Sequence, residues 1–460
     1  MKNKLGEAFL VLVTSTALLS AISFFPFHLA GFQSPDFLAD LKPKKHSIST
    51  DTSGKNGVPV DSAFIVPQKL LADTAIASFG DLTPFFEALY ALHNTPQPLH
   101  IAYFGDSMIE GDLLTMDLRK SLQKRFGGQG LGFMPITSAT AAFRTSISHR
   151  FNEAWATYHF NNKPPAGVDL GWSGYTFKAS PGASVGYTKT KGQDAFQHIE
   201  LYYKSAQPGK WSFEHNEQEQ EIAFEASDSL NTVVLEDSVP FSQLSLKLLE
   251  GNPTVMGMNF ENGPGVYVDN YSFRGNSGIP QSSIKDETYR FVADKMNCRL
   301  VVLHYGLNVV AHEVGDYSWY LQSFRKTIRK FKTNFPNACI VIASVGDKSC
   351  KVGQQYHTEP DIPLFVGMQA KLAREEGVVF WNLYQAMGGY DTMKAWVETE
   401  KPRKAAKDYT HFSHAGAATV AALFNDWLMK EYEHFLEQKL AQMTKPEALI
   451  KTSTAPAPAL

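Results

Sequence analysis

Residues 99–104 are almost continuously apolar, and the chain then turns at Gly105-Asp106-Ser107. Past the turn, Leu113, Leu114, Leu118 and Leu122 recur at helical intervals, with Lys120, Lys124 and Arg125 on other faces. The pattern predicts a buried strand, a tight turn presenting one serine, and an amphipathic helix. Apolar strands alternating with helical stretches return late in the chain. Residues 266–269, 300–304, 340–343 and 378–381 read as strands, with helices near 281–296, 316–333 and 361–376 between them and a final helix over 415–440. Joined to the strand ending at Phe104, they predict a flavodoxin-like α/β fold, a five-stranded parallel sheet with helices on both faces.

Between residues 143 and 264 the period changes. Runs such as His198-Ile-Glu-Leu-Tyr-Tyr203, Lys210-Trp-Ser-Phe-Glu214 and Thr232-Val-Val-Leu-Glu236 alternate with period two and are separated by short polar links, without helices. That is the signature of an antiparallel β-sandwich, here inserted between the first and second strands of the α/β unit. The segment 126–135 is glycine-rich and reads as a loop. It lacks the Gly-Lys-Ser/Thr ending of a phosphate-binding loop, which argues against a nucleotide site.

The first residues carry Lys2 and Lys4, followed by an apolar stretch over 8–27, roughly the length a helix needs to cross a bilayer. This is a signal anchor or a signal peptide, and the amino-side lysines orient the remainder for export. The expected organisation is therefore a targeting segment over 1–33, a flexible linker over 34–63, an α/β domain in two parts over 64–142 and 265–440, the β insertion over 143–264, and a disordered tail over 441–460. A periplasmic or envelope location follows, with membrane contact through the N-terminal segment if it is uncleaved.

The formal net charge of −3 over 460 residues, with scattered Lys and Arg, disfavours nucleic acid as a partner. Cys298, Cys339 and Cys350 lack metal-ligand spacing, and no His, Cys, Asp and Glu cluster has it either. No metal or other cofactor is expected.

A serine becomes nucleophilic when a base takes its proton and a third group orients that base. Lys407-Asp408-Tyr-Thr-His411 offers the pair, since a carboxylate three residues before a histidine can reach Nδ1 and leave Nε2 for Ser107. Ser413 reads as the N-cap of the final helix, which makes His414 the weaker base candidate. Oxyanion donors can come from the Ser107 N–H and from the strand ends at Arg274-Gly275-Asn276 and Tyr305-Gly306-Leu307-Asn308. All these elements fall beyond the carboxyl ends of strands, where an open α/β sheet places its site. Asp106 is read as fixing the turn, His304 as a core histidine, and Asp112 as either a substrate contact or a helix cap. Of Trp155, Trp172, Tyr175, Tyr202, Tyr203 and Trp211 in the insertion, most are expected in its core.

In order along the chain, Gly105-Asp106-Ser107, Gly275, Gly306-Leu307-Asn308 and Asp408-Tyr-Thr-His411 resemble the four blocks of the SGNH, or GDSL-type, hydrolase superfamily. The resemblance covers roughly residues 65–142 and 265–435. It implies Ser107 as nucleophile, His411 as base, Asp408 as its orienter, and Ser107 N–H, Gly275 N–H and the Asn308 side chain as the oxyanion hole. The run after Ser107, with Asp112, Thr115 and Arg119, the glycine-rich segment, the β insertion and Ala386-Met-Gly-Gly-Tyr390, is further similar to exported peptidoglycan O-acetylesterases whose insertion resembles a carbohydrate-binding module. Met108, where those enzymes often have histidine, and Ser272, in place of the first glycine of block two, depart from that pattern. The implied activity is removal of O-acetyl groups from peptidoglycan or another envelope polysaccharide. Acyl transfer to a glycan by the same triad, and a non-catalytic glycan-binding role, remain open alternatives.

Overall fold

The computed structural model describes residues 80–312 and 314–443, with the two-residue strands His28–Leu29 and Phe32–Gln33. The apolar stretch over 8–27, the linker over 34–63 and the tail past residue 443 lie outside the described residues. Among the described residues no helix is long and apolar enough to cross a membrane.

Helix α1 (Thr83–Ala91) precedes strand β1 (Pro98–Gly105), in which every residue after Pro98 is buried. A short 3-10 turn (Glu110–Asp112) leads into α2 (Thr115–Phe126). The chain then builds an insertion of eleven strands: β2 (Gln129–Met134), β3 (Ile147–Phe151), β4 (Trp155–His159), β5 (Tyr175–Ala179), β6 (Ser184–Lys189), β7 (Phe196–Ser205), β8 (Gly209–His215), β9 (Gln218–Phe224), β10 (Ser227–Phe241), β11 (Gln243–Glu250) and β12 (Thr254–Asn262). It returns as β13 (Gly265–Ser272), α3 (Asp286–Lys295), β14 (Cys298–His304), α4 (Ser318–Asn334) and β15 (Cys339–Ala343). A hairpin of β16 (Ser349–Val352) and β17 (Gln355–Thr358), then α5 (Asp361–Glu376), β18 (Val379–Trp381), α6 (Leu383–Met387), α7 (Thr392–Glu398) and α8 (His414–Met443) complete it.

Five strands form the central sheet in the order β13-β1-β14-β15-β18, all parallel. This is the flavodoxin-like order, in which the first strand lies between the second and third. Neighbouring residues of a strand point to opposite faces, and the two at the end of β1 identify both layers. Tyr103 meets Phe424 of α8, whereas Phe104 meets Tyr289 of α3 and Phe331 of α4. Helices therefore cover both faces, as the alternating pattern predicts.

The insertion is an antiparallel β-sandwich. One sheet runs β9-β8-β11-β6-β3, the other β10-β7-β12-β5-β4, with β2 also paired to β12. Its own core holds Trp211, Phe213, Leu246, Tyr187 and Phe260, all fully buried, set by the period-two alternation of their strands. The glycine-rich segment read as a loop is strand β2. Its glycines allow close approach of backbone: a Cβ on Gly130 would lie 2.4 Å from the Phe260 carbonyl oxygen, and one on Gly132 2.4 Å from Asp269 Oδ1. Phe133, Trp172 and Tyr202 of the insertion meet Tyr271 and Phe291 of the α/β unit in an aromatic seam.

Below that seam, one buried charge network ties both units together. His100 of β1 lies 2.7 Å through Nδ1 from Asp269 of β13 and 2.9 Å through Nε2 from Glu261 of β12. The Nε2 contact lacks hydrogen-bond alignment and acts as an ion pair. Asp269 also accepts the Phe133 N–H of β2 at 2.9 Å. Burial alone would lower the pKa of His100, but the two carboxylates outweigh it and raise the group from 6.5 to about 10. A raised histidine pKa contributes stability that is complete below the unfolded value and is lost as pH climbs through the folded one. Denaturation midpoints should therefore fall between about pH 7 and pH 10 in the wild type, and His100→Gln should remove that part of the slope. An unchanged slope in the variant would assign it to other groups.

Candidate active site

The turn after β1 is shaped by Asp106, which is 1% exposed. Its Oδ1 accepts the Met108 N–H at 2.9 Å, which fixes the turn, and its Oδ2 accepts Asn308 Nδ2 at 2.7 Å. Burial pushes this carboxyl up to about 7, while the Met108 N–H, the nearby His411 and Asn308 act in the opposite direction. Gly105 admits the turn because a Cβ there would lie 2.8 Å from the Ile109 side chain.

Ser107 Oγ lies 2.8 Å from His411 Nε2, and His411 Nδ1 lies 2.7 Å from Asp408 Oδ2. The two ring nitrogens thus have separate partners, the arrangement a proton relay requires. Asp408 is also an acceptor for its own loop, since its Oδ1 takes the N–H groups of Thr410 and His411, both at 3.0 Å. Partial burial opposes its ionisation, but those N–H groups and the imidazole outweigh it and hold the carboxyl below its usual range. The loop is held from outside as well. Tyr409, with φ +55°, stacks on Tyr356 at 3.6 Å, and its carbonyl accepts the Ser349 N–H at 2.9 Å. Ser413 Oγ accepts the Gly416 N–H and caps α8, while His414 packs on Phe143, away from the relay.

Of the three oxyanion candidates, Asn308 is the best located. Its Nδ2 donates to Asp106 at 2.7 Å and, at a longer 3.3 Å, to the Asn276 carbonyl. Gly275 lies one residue away from Asn276 in the exposed turn after β13, with φ +75°, and the Phe273 N–H joins that turn to the Gly105 carbonyl at 3.0 Å. The backbone N–H groups of Ser107 and Gly275 donate no hydrogen bond among the described residues. All five residues expected at the site, Ser107, Gly275, Asn308, Asp408 and His411, therefore lie in turns beyond the carboxyl ends of strands or in loops cross-tied to them.

Asp112 caps no helix through a backbone N–H and is 1% exposed. It is buried between Arg119, at 2.8 and 3.0 Å, and Arg144, at 3.2 Å, and accepts the Thr115 hydroxyl at 2.7 Å. Burial opposes its ionisation, yet the two guanidinium groups hold its carboxyl far below the carboxylate range. Arg119 also donates to the Val268 carbonyl, and Asn270 Nδ2 reaches the Thr115 hydroxyl and the Ile109 carbonyl. This network sustains positive φ at Asp112 and Leu114, 67° and 66°, sparsely populated conformations that cost a non-glycine residue about 1–3 kcal/mol. The first α2 turn and the segment after Ser107 are thereby fixed to β13. His304 is a core histidine, 3.3 Å from the Tyr103 hydroxyl, with its pKa lowered by burial to about 4.

Beside this end of the sheet, Glu110, Arg144, Asn270 and Ser272 line a small cavity, and Glu110 is ion-paired with Arg274. A wider groove on the insertion, lined by Phe151, Trp155, His159 and Tyr175, shares Thr137, Ser138, Ala139 and Tyr175 with it. Trp172, Tyr202, Tyr203 and Trp211 are core residues, while Tyr175 is half-buried and lines both hollows. A further set of side chains converges without any sequence spacing to announce it: His312, Cys350 and Glu359, brought together by the hairpin β16–β17 and the loop after β14.

No protein-family model matches the sequence, and no curated protein does. Solved structures do. The chain shares its fold with a peptidoglycan O-acetylesterase, at a TM-score of 0.65 and 23% identity, over 78% of this chain and 99% of that one. A family two carbohydrate esterase from Clostridium thermocellum matches at a TM-score of 0.27 and 12% identity, over 61% of this chain and 98% of that one. The parallel sheet with an inserted β-sandwich, expected from the SGNH hydrolase resemblance, is the architecture observed.

Removing Asp112 would leave two guanidinium groups facing each other in the interior. Asp112→Ala should cost about 3–5 kcal/mol, read as a lower urea midpoint in equilibrium unfolding. A loss below about 1 kcal/mol would mean that water reaches the arginines and the network is weakly coupled to the fold.

Proposed function

We propose that this chain is an exported serine esterase that removes O-acetyl groups from peptidoglycan or another envelope polysaccharide. The observation that carries the reading is the continuous relay from Ser107 through His411 to Asp408. Ser107 Oγ attacks the ester carbonyl carbon while its proton passes to His411 Nε2, and Asp408 holds the imidazole by Nδ1. The oxyanion that forms meets the N–H groups of Ser107 and Gly275 and the Asn308 amide, whose long bond to the Asn276 carbonyl is the one it would displace. Collapse breaks the bond to the sugar oxygen, which takes the proton from His411. Water, deprotonated by the same imidazole, then cleaves the acyl-serine and releases acetate. A fold shared with a peptidoglycan O-acetylesterase, and a groove on the insertion continuous in its lining with the cavity beside the sheet end, support a glycan substrate. The apolar segment at 8–27 supports export and an envelope location.

Hydrolysis and transfer to a second sugar use the same acyl-enzyme. The side chains of His411 and Asp408 are 36% and 51% exposed, so water reaches the base. Acetate release measured with and without added acceptor glycan separates the two outcomes: release undiminished by acceptor supports the esterase, and acetate recovered on the acceptor supports transfer.

Ser107→Ala should lower acetate release from a small acetyl ester by about 10³-fold or more, with the circular dichroism spectrum and melting temperature unchanged. Full activity in the variant would overturn the assignment. Asn308→Ala should lower kcat by about 10²–10³-fold with little change in KM, because the Asn308 donor is asked to act on charge that develops only in the transition state. An effect confined to KM would instead make Asn308 a substrate-binding residue.

A further inference from the structure

We propose that His312, Cys350 and Glu359 form a binding site for a single divalent zinc-type cation, on a different set of loops from the relay. The donor atoms His312 Nδ1, Cys350 Sγ and one Glu359 carboxylate oxygen all lie within 4.8 Å of one another. His312 Nδ1 is 3.1 Å from Glu359 Oε1 and 3.9 Å from Cys350 Sγ. Tetrahedral zinc with bonds of about 2.0–2.3 Å to nitrogen, oxygen and sulfur places its ligands about 3.3–3.8 Å apart. The observed separations bracket that spacing, so closure on an ion needs only small side-chain movements.

The geometry separates this cluster from a second catalytic relay. In the Ser107 site the serine and the carboxylate meet opposite nitrogens of the imidazole. Here the thiol and the carboxylate converge on the same nitrogen, Nδ1. A single ring nitrogen cannot take a proton from one partner while donating to the other, whereas convergence of three lone pairs on one point is what a cation requires. The setting agrees. Glu359 is almost wholly buried, its side chain 4% exposed, and a buried carboxylate calls for a compensating positive charge. His312 is half-exposed, which leaves the ion a route in.

The three donors are also pre-positioned. Asp361 Oδ2 accepts the N–H groups of Val314 and Gly315 and the Tyr317 hydroxyl, which holds the loop just past His312. Lys348 donates through Nζ to the Val310 carbonyl, and its own carbonyl accepts the Glu359 N–H at 2.7 Å. A thiolate, an imidazole and a carboxylate together select zinc or a similar borderline cation over magnesium or calcium, which prefer oxygen alone. The position gives the ion a structural effect. The His312 loop follows Asn308 by four residues, and the Cys350 strand bonds through Ser349 to Tyr409 of the His411 loop. A bound cation would therefore link the oxyanion segment to the loop that carries the base.

The test uses the full chain in detergent, stripped with a chelator and titrated with Zn2+, with Mg2+ as control and Co2+ as a spectroscopic probe. The expected results are one Zn2+ per chain, no Mg2+ uptake, a thiolate-to-metal charge-transfer band with Co2+, and a higher melting temperature with zinc. Cys350→Ser should abolish the charge-transfer band and His312→Ala should weaken Zn2+ binding at least tenfold, while both retain the metal-free melting temperature. No Zn2+ uptake by the wild type, uptake without a thiolate band, or uptake undiminished in both variants would overturn the proposal. None of these readouts depends on acetate release, so the site stands or falls independently of the esterase reading.

Discussion

A single buried carboxylate, Asp106, sets the geometry at the carboxyl end of the sheet. One oxygen holds the Met108 N–H and so gives the turn its shape. The other holds the Asn308 amide, which belongs to a different strand end. Asn308 in turn reaches the carbonyl of Asn276, beyond a third strand. Three separate loops are thereby oriented from one fully enclosed group, and the serine between them inherits its position. The cost is visible in the elevated pKa of that carboxyl, about 7, which burial imposes and the hydrogen bonds only partly offset.

What was legible in the sequence follows from which constraints are local. The strand, turn and helix around Ser107 are encoded within two dozen residues, and so is the pairing of Asp408 with His411, because three positions on a tight loop suffice to bring a carboxylate to Nδ1. The parallel sheet was legible because its strands are buried on both faces and read as continuous apolar runs. The glycine-rich segment at 126–135 misled for a physical reason. Glycine there serves the approach of one backbone to another, at Phe260 and at Asp269, and composition does not distinguish that use from a flexible loop. Asp112 was ambiguous for a related reason: its partners Arg119 and Arg144 are seven and thirty-two positions away, on elements whose packing the local pattern does not specify. The hairpin Ser349–Thr358 has strands of only four residues each, too short to show a period, and so the meeting of Cys350 with His312 and Glu359 had no signal in spacing.

The two units are joined by chemistry of opposite kinds. Near the cavity the seam is aromatic, with Phe133 against both Trp172 and Tyr271. Elsewhere it is ionic, with His100 shared between a carboxylate of the α/β unit and one of the insertion.

The chain leaves the α/β unit after Gly127 and rejoins it at Gly265, and these two glycines touch: the Val266 N–H donates to the Gly127 carbonyl at 3.0 Å, and a Cβ on Gly265 would lie 2.0 Å from the Gly127 carbonyl carbon. An insertion whose ends are adjacent imposes almost no closure demand on the host, because the host would need only a short turn to bridge the same gap. In evolutionary terms the sandwich is a cassette. Its outer surface is free to diversify while the host sheet, and the corner that carries Ser107, keep the same coordinates.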